Sequence, residues 1–260
     1  MDRDTRQHLR RLVGRFYDQR ADSFSGTRRH PWPGWRRLLE LLPPGRLRVL
    51  DAGCGNARLG TFLAASWPPG VDYVGLDAGV GLLEHARHAL GTACGPPSRW
   101  RLAQADLLDE HDLERALEGL GEPAEGGRGF DLVALMGVLH HVPGEAERGA
   151  LLRRLGRRLA PGGLLAATVW RADRAPGFAA KVLSWETVRD ALPDPARLEA
   201  GDHLLGWAGD DGPPRYCHFA DDAEVDRLVA ASELDEVERF HDDGPNGASN
   251  LYVMLRHRAA

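Results

Sequence analysis

The stretch Val49-Leu50-Asp51-Ala52-Gly53-Cys54-Gly55-Asn56-Ala57 runs a strand-like apolar segment straight into two glycines and then into a helical pattern. Glycine has no Cβ, so such a turn lets backbone come close to a ligand that any side chain would push away. A glycine pair alone is a weak signal, because strand-to-helix turns often carry one for steric reasons. A second residue strengthens it. Asp77 closes the next apolar run, 24 residues after Gly53, where an acid accepts hydrogen bonds from both hydroxyls of a ribose. The pair points to a cofactor that carries a nucleoside. A dinucleotide is disfavoured, because its fingerprint has a third glycine three residues after the second and Arg58 stands there.

The elements that must position these residues are legible in the hydrophobic period. Leu9, Leu12, Val13, Phe16 and Tyr17 fall at helical spacing within residues 5–20, which predicts an amphipathic helix whose stripe needs a body to pack on. Pro31, Pro33 and Gly34 break the pattern, and Trp35 to Leu42 reads as a short second helix stopped by Pro43-Pro44-Gly45. Strand-length apolar runs then alternate with helical stretches: 47–52 and 59–67, 73–77 and 80–90, 100–105 and 113–120, 130–136 and 148–159, then 164–170. Alternation at this spacing means right-handed βαβ units, hence an α/β fold. Pro161-Gly162-Gly163 reads as a tight turn into the fifth strand. Residues 171–220 show no clear period yet contain Trp185, Trp207, Tyr216 and Phe219, the profile of a binding loop or lid. A helix over 223–231 and two strands over 234–240 and 251–255, joined by Asp242-Asp243-Gly244-Pro245-Asn246-Gly247, complete the chain. The biased stretch Gly121 to Gly129 reads as a surface loop.

The composition sets outer limits. At 260 residues the chain is shorter than two domains of roughly 150. With 43% hydrophobic and 27% charged residues it can bury a core. Its longest apolar runs fall far short of the roughly 20 residues that span a bilayer, so no membrane role is expected. Cys54, Cys94 and Cys217 are too few and too scattered for a disulfide framework or a metal site. The acidic N-terminus leads into no signal-type apolar core, and with the reduced thiols this gives a cytoplasmic expectation. The net charge of −5 hides an asymmetry: residues 1–48 hold twelve arginines against five acids, +7, so the remainder carries −12. A basic arm on an acidic body suits an anionic partner such as nucleic acid, although a charge run is more often a solvated helix face.

The motif Leu50-Asp51-Ala52-Gly53-Cys54-Gly55 resembles the first motif of the class I S-adenosylmethionine-dependent methyltransferases. The likeness continues through Gly75-Leu76-Asp77 and Ala78 at the ribose strand end, Ala105-Asp106-Leu107 at the adenine turn, Phe130 to Met136 with Leu139-His140-His141 at the fourth strand, and Leu159-Ala160-Pro161-Gly162-Gly163. Ala57 departs from the pattern, standing where many members carry a third glycine. The resemblance implies a Rossmann-like, seven-stranded, mostly parallel sheet with helices on both faces and a C-terminal antiparallel hairpin. It divides the chain into a helical arm and cap (1–44), an S-adenosyl-L-methionine-binding core (45–170), a substrate lid (171–220) and a closing helix and hairpin (221–260). It also implies cofactor contacts from Tyr17, Asp51, Gly53, Cys54, Gly55, Asp77, Ala78, Asp106, Leu107 and Met136. A narrower likeness lies outside the core. Tyr17-Asp18 with Phe24-Ser25-Gly26-Thr27-Arg28 and Pro31-Trp32-Pro33, then Leu204-Leu205-Gly206-Trp207 and Arg215-Tyr216-Cys217-His218-Phe219, are similar to segments of the tRNA wobble-uridine carboxymethyl methyltransferases. Gly206 stands where a proline is usual and Cys217 where a second tyrosine is usual.

That likeness implies methyl-ester formation on a uridine-linked carboxylate in tRNA, with a small zinc-binding activator subunit as a further partner. Such an acceptor is ionised at neutral pH and needs a cation to orient it rather than a base. Arg28 and Arg215 are the candidates, each weighed against a plain surface ion pair. Tyr216 and His218 are expected to close over the acceptor or to fasten the lid, and Trp32 and Trp207 to stack on a base or to anchor their segments. For a hydroxyl, amine or carbon acid, His141 is the nearest base, with a structural capping role as the alternative. Methylation of a small metabolite (O-, N- or C-) is the enzymatic rival, and a catalytically silent scaffold subunit is the rival from another class.

Overall fold

The structure is a computed structural model that describes residues 1–119, 129–171, 178–188, 195–207 and 212–257. The glycine-rich stretch expected as a loop lies outside them except for Gly129. Ten strands and seven α-helices are formed among the described residues. β1 (Leu47–Ala52), β2 (Val71–Asp77), β3 (Arg99–Gln104), β4 (Phe130–Leu135), β5 (Leu159–Trp170), β9 (Asp235–Asp242) and β10 (Asn250–Arg256) make one seven-stranded sheet in the order β3-β2-β1-β4-β5-β10-β9. β1 to β5 pair in parallel, and β10 runs antiparallel to both β5 and β9.

The strands are apolar on both faces because both are covered. Leu50, Ala52, Val133 and Leu135 face the helices α5 (Glu110–Gly119), α6 (Glu145–Gly156) and α7 (Asp222–Ser232), meeting Leu113, Leu151, Leu152, Leu155 and Leu228. The alternate residues Leu47, Val49, Leu132 and Ala134 face α2 (Trp35–Glu40), α3 (Arg58–Ser66) and α4 (Val80–Ala93), meeting Trp35, Leu38, Leu63, Leu83 and Leu90.

Three elements differ from the sequence expectation. The first helix, α1, runs Arg3–Thr27 rather than 5–20. Asp2 caps it, accepting from the Thr5 amide at 2.9 Å, and no proline stops it until the approach to Pro31. The fifth strand begins at Leu159, so Pro161-Gly162-Gly163 is an irregularity inside the strand, where its register with β4 shifts. Gly162 takes φ +77°, and a Cβ on Gly163 would stand 2.6 Å from the Phe130 carbonyl oxygen. Finally, the aperiodic segment holds a second sheet of β6 (Val182–Leu183), β7 (Asp202–Leu205) and β8 (Arg215–His218). Strands of two to four residues are too short to register as a period. This small sheet is the body on which the α1 stripe packs, as Leu9 and Leu12 meet Leu204 and Tyr216. Among the described residues no helix is long and apolar enough to cross a membrane.

Candidate functional site

The order of the sheet reverses between β1 and β4, and a crevice opens there beyond the carboxyl ends of the parallel strands, the usual ligand position in such sheets. α1 and β8 cover it, enclosing a cavity of about 740 Å³. Along one wall the chain leaves β1 and folds over the end of β2. The amides of Gly53 and Cys54 both donate to the Leu76 carbonyl, at 2.8 and 2.9 Å. Gly53 takes φ +79°, and a Cβ there would collide with Val138 Cγ2 at 2.4 Å; Gly55 takes φ +54°. These are the positions where the fold requires glycine. Ala57 follows at φ +56° and ψ +32°, a left-handed step made without glycine.

Three acids stand at this end, each with donors. Asp77 accepts from the amides of Gly55 and Gly79, both at 2.8 Å. Burial raises its carboxyl while the amides work against that rise. Asp51 accepts from the Tyr73 hydroxyl at 2.6 Å, and burial pushes it up to about 7. Asp106 accepts from the Leu108 amide at 3.0 Å and pairs with Arg10 of α1. Cys54, Ala78, Leu107 and Met136 complete this wall.

Arg28 and Arg215 define the opposite end. Arg215 is only 7% exposed, and its guanidinium lies 4.9 Å from the Phe16 ring centroid, 5.4 Å from Trp170 and 5.5 Å from Trp207. Arg28 lies over Phe24 at 5.2 Å and Trp207 at 5.8 Å, and donates to the Thr27 hydroxyl at 3.2 Å. Among the described residues neither has a carboxylate within ion-pairing distance. Burial, then the nearby charge of Arg215, holds Arg28 below the ordinary guanidinium range. Trp207 therefore packs against both cations, whereas Trp32 lines the mouth beside Gly137.

His141 is held at both nitrogens. The Tyr216 carbonyl, 2.9 Å from Nδ1, can only accept, so Nδ1 carries the proton. Nε2 then accepts from the Tyr17 hydroxyl at 2.8 Å. Burial, then Arg215, pushes the imidazole down to about 3. The structure thus places His141 as a neutral anchor for Tyr17, with its lone pair engaged.

Two expected lid contacts point elsewhere. Tyr216 is fully buried and donates to Asp202 at 2.7 Å, and His218 bonds Asp202 at 2.7 Å and Glu224 at 2.8 Å. Both are outside the cavity lining and belong to a buried charged network that Arg148 completes through Glu224 and Glu199. It ties β7 and β8 to α6 and α7. Cys217, between them, is buried, and burial pushes its thiol up to about 12.

The cavity also takes residues the sequence reading missed: Arg10, Arg58, Trp170, Asp243 and Asn250. Arg10 had a signal, since 10, 14 and 17 share one helix face with Tyr17. Arg58 registered only as a missing glycine. Asp243 and Asn250 lie in and after a turn that reads as a mere connection, and nothing local marks them as lining a ligand cavity.

Residues 50–165 match the family model described as a methyltransferase domain. A protein of Encephalitozoon cuniculi designated a methyltransferase is 33% identical over 160 residues, 62% of this chain and 62% of that protein. The tRNA (carboxymethyluridine(34)-5-O)-methyltransferase of Arabidopsis thaliana is 32% identical over 165 residues, 64% of this chain and 34% of that protein. The chain thus spans between about a third and three-fifths of the length of these curated relatives. A solved structure of an S-adenosylmethionine-dependent methyltransferase from Methanosarcina mazei superposes with a TM-score of 0.61, over 86% of this chain and 98% of that one, at 14% identity. The superposed part of the chain is longer than the matched domain.

Proposed function

We propose, from the premise that this chain carries a methyltransferase domain, that it moves the methyl group of S-adenosylmethionine to a carboxylate on a tRNA wobble uridine, giving a methyl ester. The observation that carries the reading is the pair Arg28 and Arg215, two guanidiniums facing one cavity over aromatic rings with no carboxylate of their own. A buried cation without a counter-ion is costly, and an incoming carboxylate relieves that cost.

The residues at the other end fit the cofactor. Asp77 uses one lone pair on each oxygen for an amide and keeps others for ribose hydroxyls. Leu107 and Met136 offer apolar wall, and Asp51 is placed to meet an amine. When bound, S-adenosylmethionine supplies an electrophilic methyl on sulfur. The protein's part is alignment and exclusion of water. Arg28 and Arg215 orient the acceptor, whose carboxylate is already ionised, so no base is required. Tyr17, fixed by His141, closes the wall between the two ends.

The exposed arginines of α1 and the 28–29 corner, Arg11, Arg15 and Arg29, supply phosphate contacts for tRNA, and an activator subunit would widen that surface. A small-molecule carboxylate is the second reading, favoured by one observation: Arg6 and Arg10 of the same arm are already paired with Glu147 and Asp106. The test is transfer of labelled methyl into total tRNA and into a small-molecule extract, with Arg28→Ala alongside. Label in tRNA that mild alkali releases, and that Arg28→Ala abolishes, is the expected result. Label confined to small molecules overturns the tRNA assignment, and label in neither pool favours the silent subunit.

A further inference from the structure

Four guanidiniums line this cavity. Arg10 is paired with Asp106, which leaves three without a carboxylate in contact among the described residues, more than the single acceptor carboxylate that Arg28 and Arg215 would share. The third, Arg58, opens α3 directly after the glycine loop. Its Nη1 donates to the His30 carbonyl at 2.9 Å, and its guanidinium carbon lies 5.0 Å from the Trp32 ring centroid and 5.3 Å from Trp35. Like Arg28 and Arg215, it has no carboxylate within ion-pairing distance among the described residues. Asn56 meanwhile donates to the Arg28 carbonyl at 3.2 Å, so both ends of the 28–30 corner are pinned to the glycine loop.

The acids Asp51, Asp77 and Asp243 of the cavity wall bond to neutral donors of the fold and do not contact these three guanidiniums. Asp51 and Asp77 hold the donors described above, and Asp243 accepts from the Gly34 amide at 3.0 Å, Asn250 Nδ2 at 2.7 Å and the Tyr252 hydroxyl at 2.6 Å. The arginines in turn feel one another: burial and then Arg28 bring Arg58 down to about 10, against the opposing charges of Asp243 and Asp51, as burial and then Arg215 depress Arg28. A sulfonium cofactor adds positive charge rather than removing it. Such a row is relieved by an occupant that brings anionic charge to Arg58 as well as to Arg28 and Arg215.

We infer that Arg58, held over Trp32 and anchored to the His30 carbonyl, binds a phosphate of the acceptor next to the carboxylate that Arg28 and Arg215 orient, so that the preferred acceptor is a nucleotide and not a free nucleoside. Guanidinium suits this task, because its fork matches two phosphate oxygens and its plane stacks on the indole. The inference rests on the carboxylate reading given above.

The experiment compares 5-carboxymethyluridine with the same nucleoside bearing 3′- and 5′-phosphates, as methyl acceptors for the wild-type chain, Arg58→Ala and Arg58→Lys. Cofactor affinity and melting temperature are recorded for each as a check of folding. The wild type is expected to favour the bisphosphate in kcat/KM by about tenfold. In Arg58→Ala that ratio falls to about one, and Arg58→Lys, a point charge, keeps an intermediate value. Equal kcat/KM for the two acceptors in the wild type overturns the phosphate site and leaves the carboxylate reading standing, and so does a ratio that Arg58→Ala and Arg58→Lys leave intact. A wild-type chain that binds cofactor and methylates neither compound overturns both.

Discussion

At the glycine-loop end of the cavity Asp51, Asp77 and Asp106 each accept from donors the fold supplies, whereas at the lid end Arg28 and Arg215 rest on aromatic faces with no carboxylate in reach. The first end is complete before anything binds. Its acids are shaped by backbone amides and a neighbouring hydroxyl, so its preference is written into the turn itself. The second end is built with its counter-charge missing, and its preference is written in what it lacks. One cavity therefore presents hydrogen-bond acceptors at one end and, among the described residues, unpaired guanidinium donors at the other.

The sharpest way to break this comparison is at Asp77. Replacement by Ala removes the acceptor that fixes the Gly55 and Gly79 amides and that remains open to ribose. Each charge-assisted hydrogen bond is worth about 1.5–3 kcal/mol, so the cofactor Kd should rise about 100-fold or more, measured by calorimetry. An effect below about threefold would mean that the two amides, and no ligand, are the reason for the acid.

At the other end Arg215→Lys keeps the charge and removes the fork and the stacking. Cation–aromatic contacts of this kind contribute about 0.5–2 kcal/mol each, so kcat/KM for the acceptor should fall about 10- to 100-fold with the cofactor Kd unchanged. A Lys variant as active as the wild type would reduce the site to a point charge. The opposite split, with cofactor affinity lost and acceptor KM kept, would dissolve the distinction between the ends.

The lid end also depends on the network behind it, because β8 carries Arg215 and His218 together. Both nitrogens of His218 meet carboxylates, Asp202 and Glu224, while Arg148, Glu199 and Tyr216 face the same cluster. Burial opposes the imidazolium, but the hydrogen bonds to Asp202 and Glu224 outweigh it and raise the pKa above 6.5. A raised folded value means that this stabilisation is complete below the ordinary imidazole titration near 6.5 and is lost as pH rises through the folded value. Melting temperature should therefore fall as pH rises above about 6.5 in the wild type, and His218→Gln should flatten that slope. Acceptor KM should rise over the same window with less effect on cofactor affinity. An identical slope in His218→Gln would assign it to another group.

How far the sequence shows these two ends follows from the range of the interactions that build them. The β1 turn and Asp77 are legible because the glycines and the acid lie within one βαβ unit, and the sheet is legible because 47–52, 73–77 and 130–136 are apolar on both faces. The lid end draws on α1, the turn at Arg28, the fourth-strand corner and β8, segments nearly 200 residues apart. Family likeness picked out Arg28 and Arg215, but no period marks them. Tyr216 and His218 face away from the cavity because Asp202 and Glu224 wait behind the strand, and a four-residue strand gives no pattern to show which face is which. The neutral, doubly bonded state of His141 depends on a carbonyl 75 residues away and is invisible locally.

The smallest expected effect lies in the one irregularity of the well-formed end. Ala57 holds a left-handed conformation at φ +56° and is fully buried. That conformation costs a non-glycine residue roughly 1–2 kcal/mol. Ala57→Gly relieves the cost, yet removes a methyl whose burial contributes about 0.8 kcal/mol and frees the unfolded chain, a further opposing effect of about 0.4–1 kcal/mol. The terms nearly cancel, so the melting temperature should stay within a few degrees and cofactor affinity within about twofold. Because the loop is already fixed by the Gly53 and Cys54 amides on Leu76 and by Gly55 on Asp77, an extra glycine has no contact to release. If cofactor affinity instead improves about tenfold or more, the Ala57 methyl is holding the loop away from its bound form, and the glycine-loop end is less complete than its hydrogen bonds indicate.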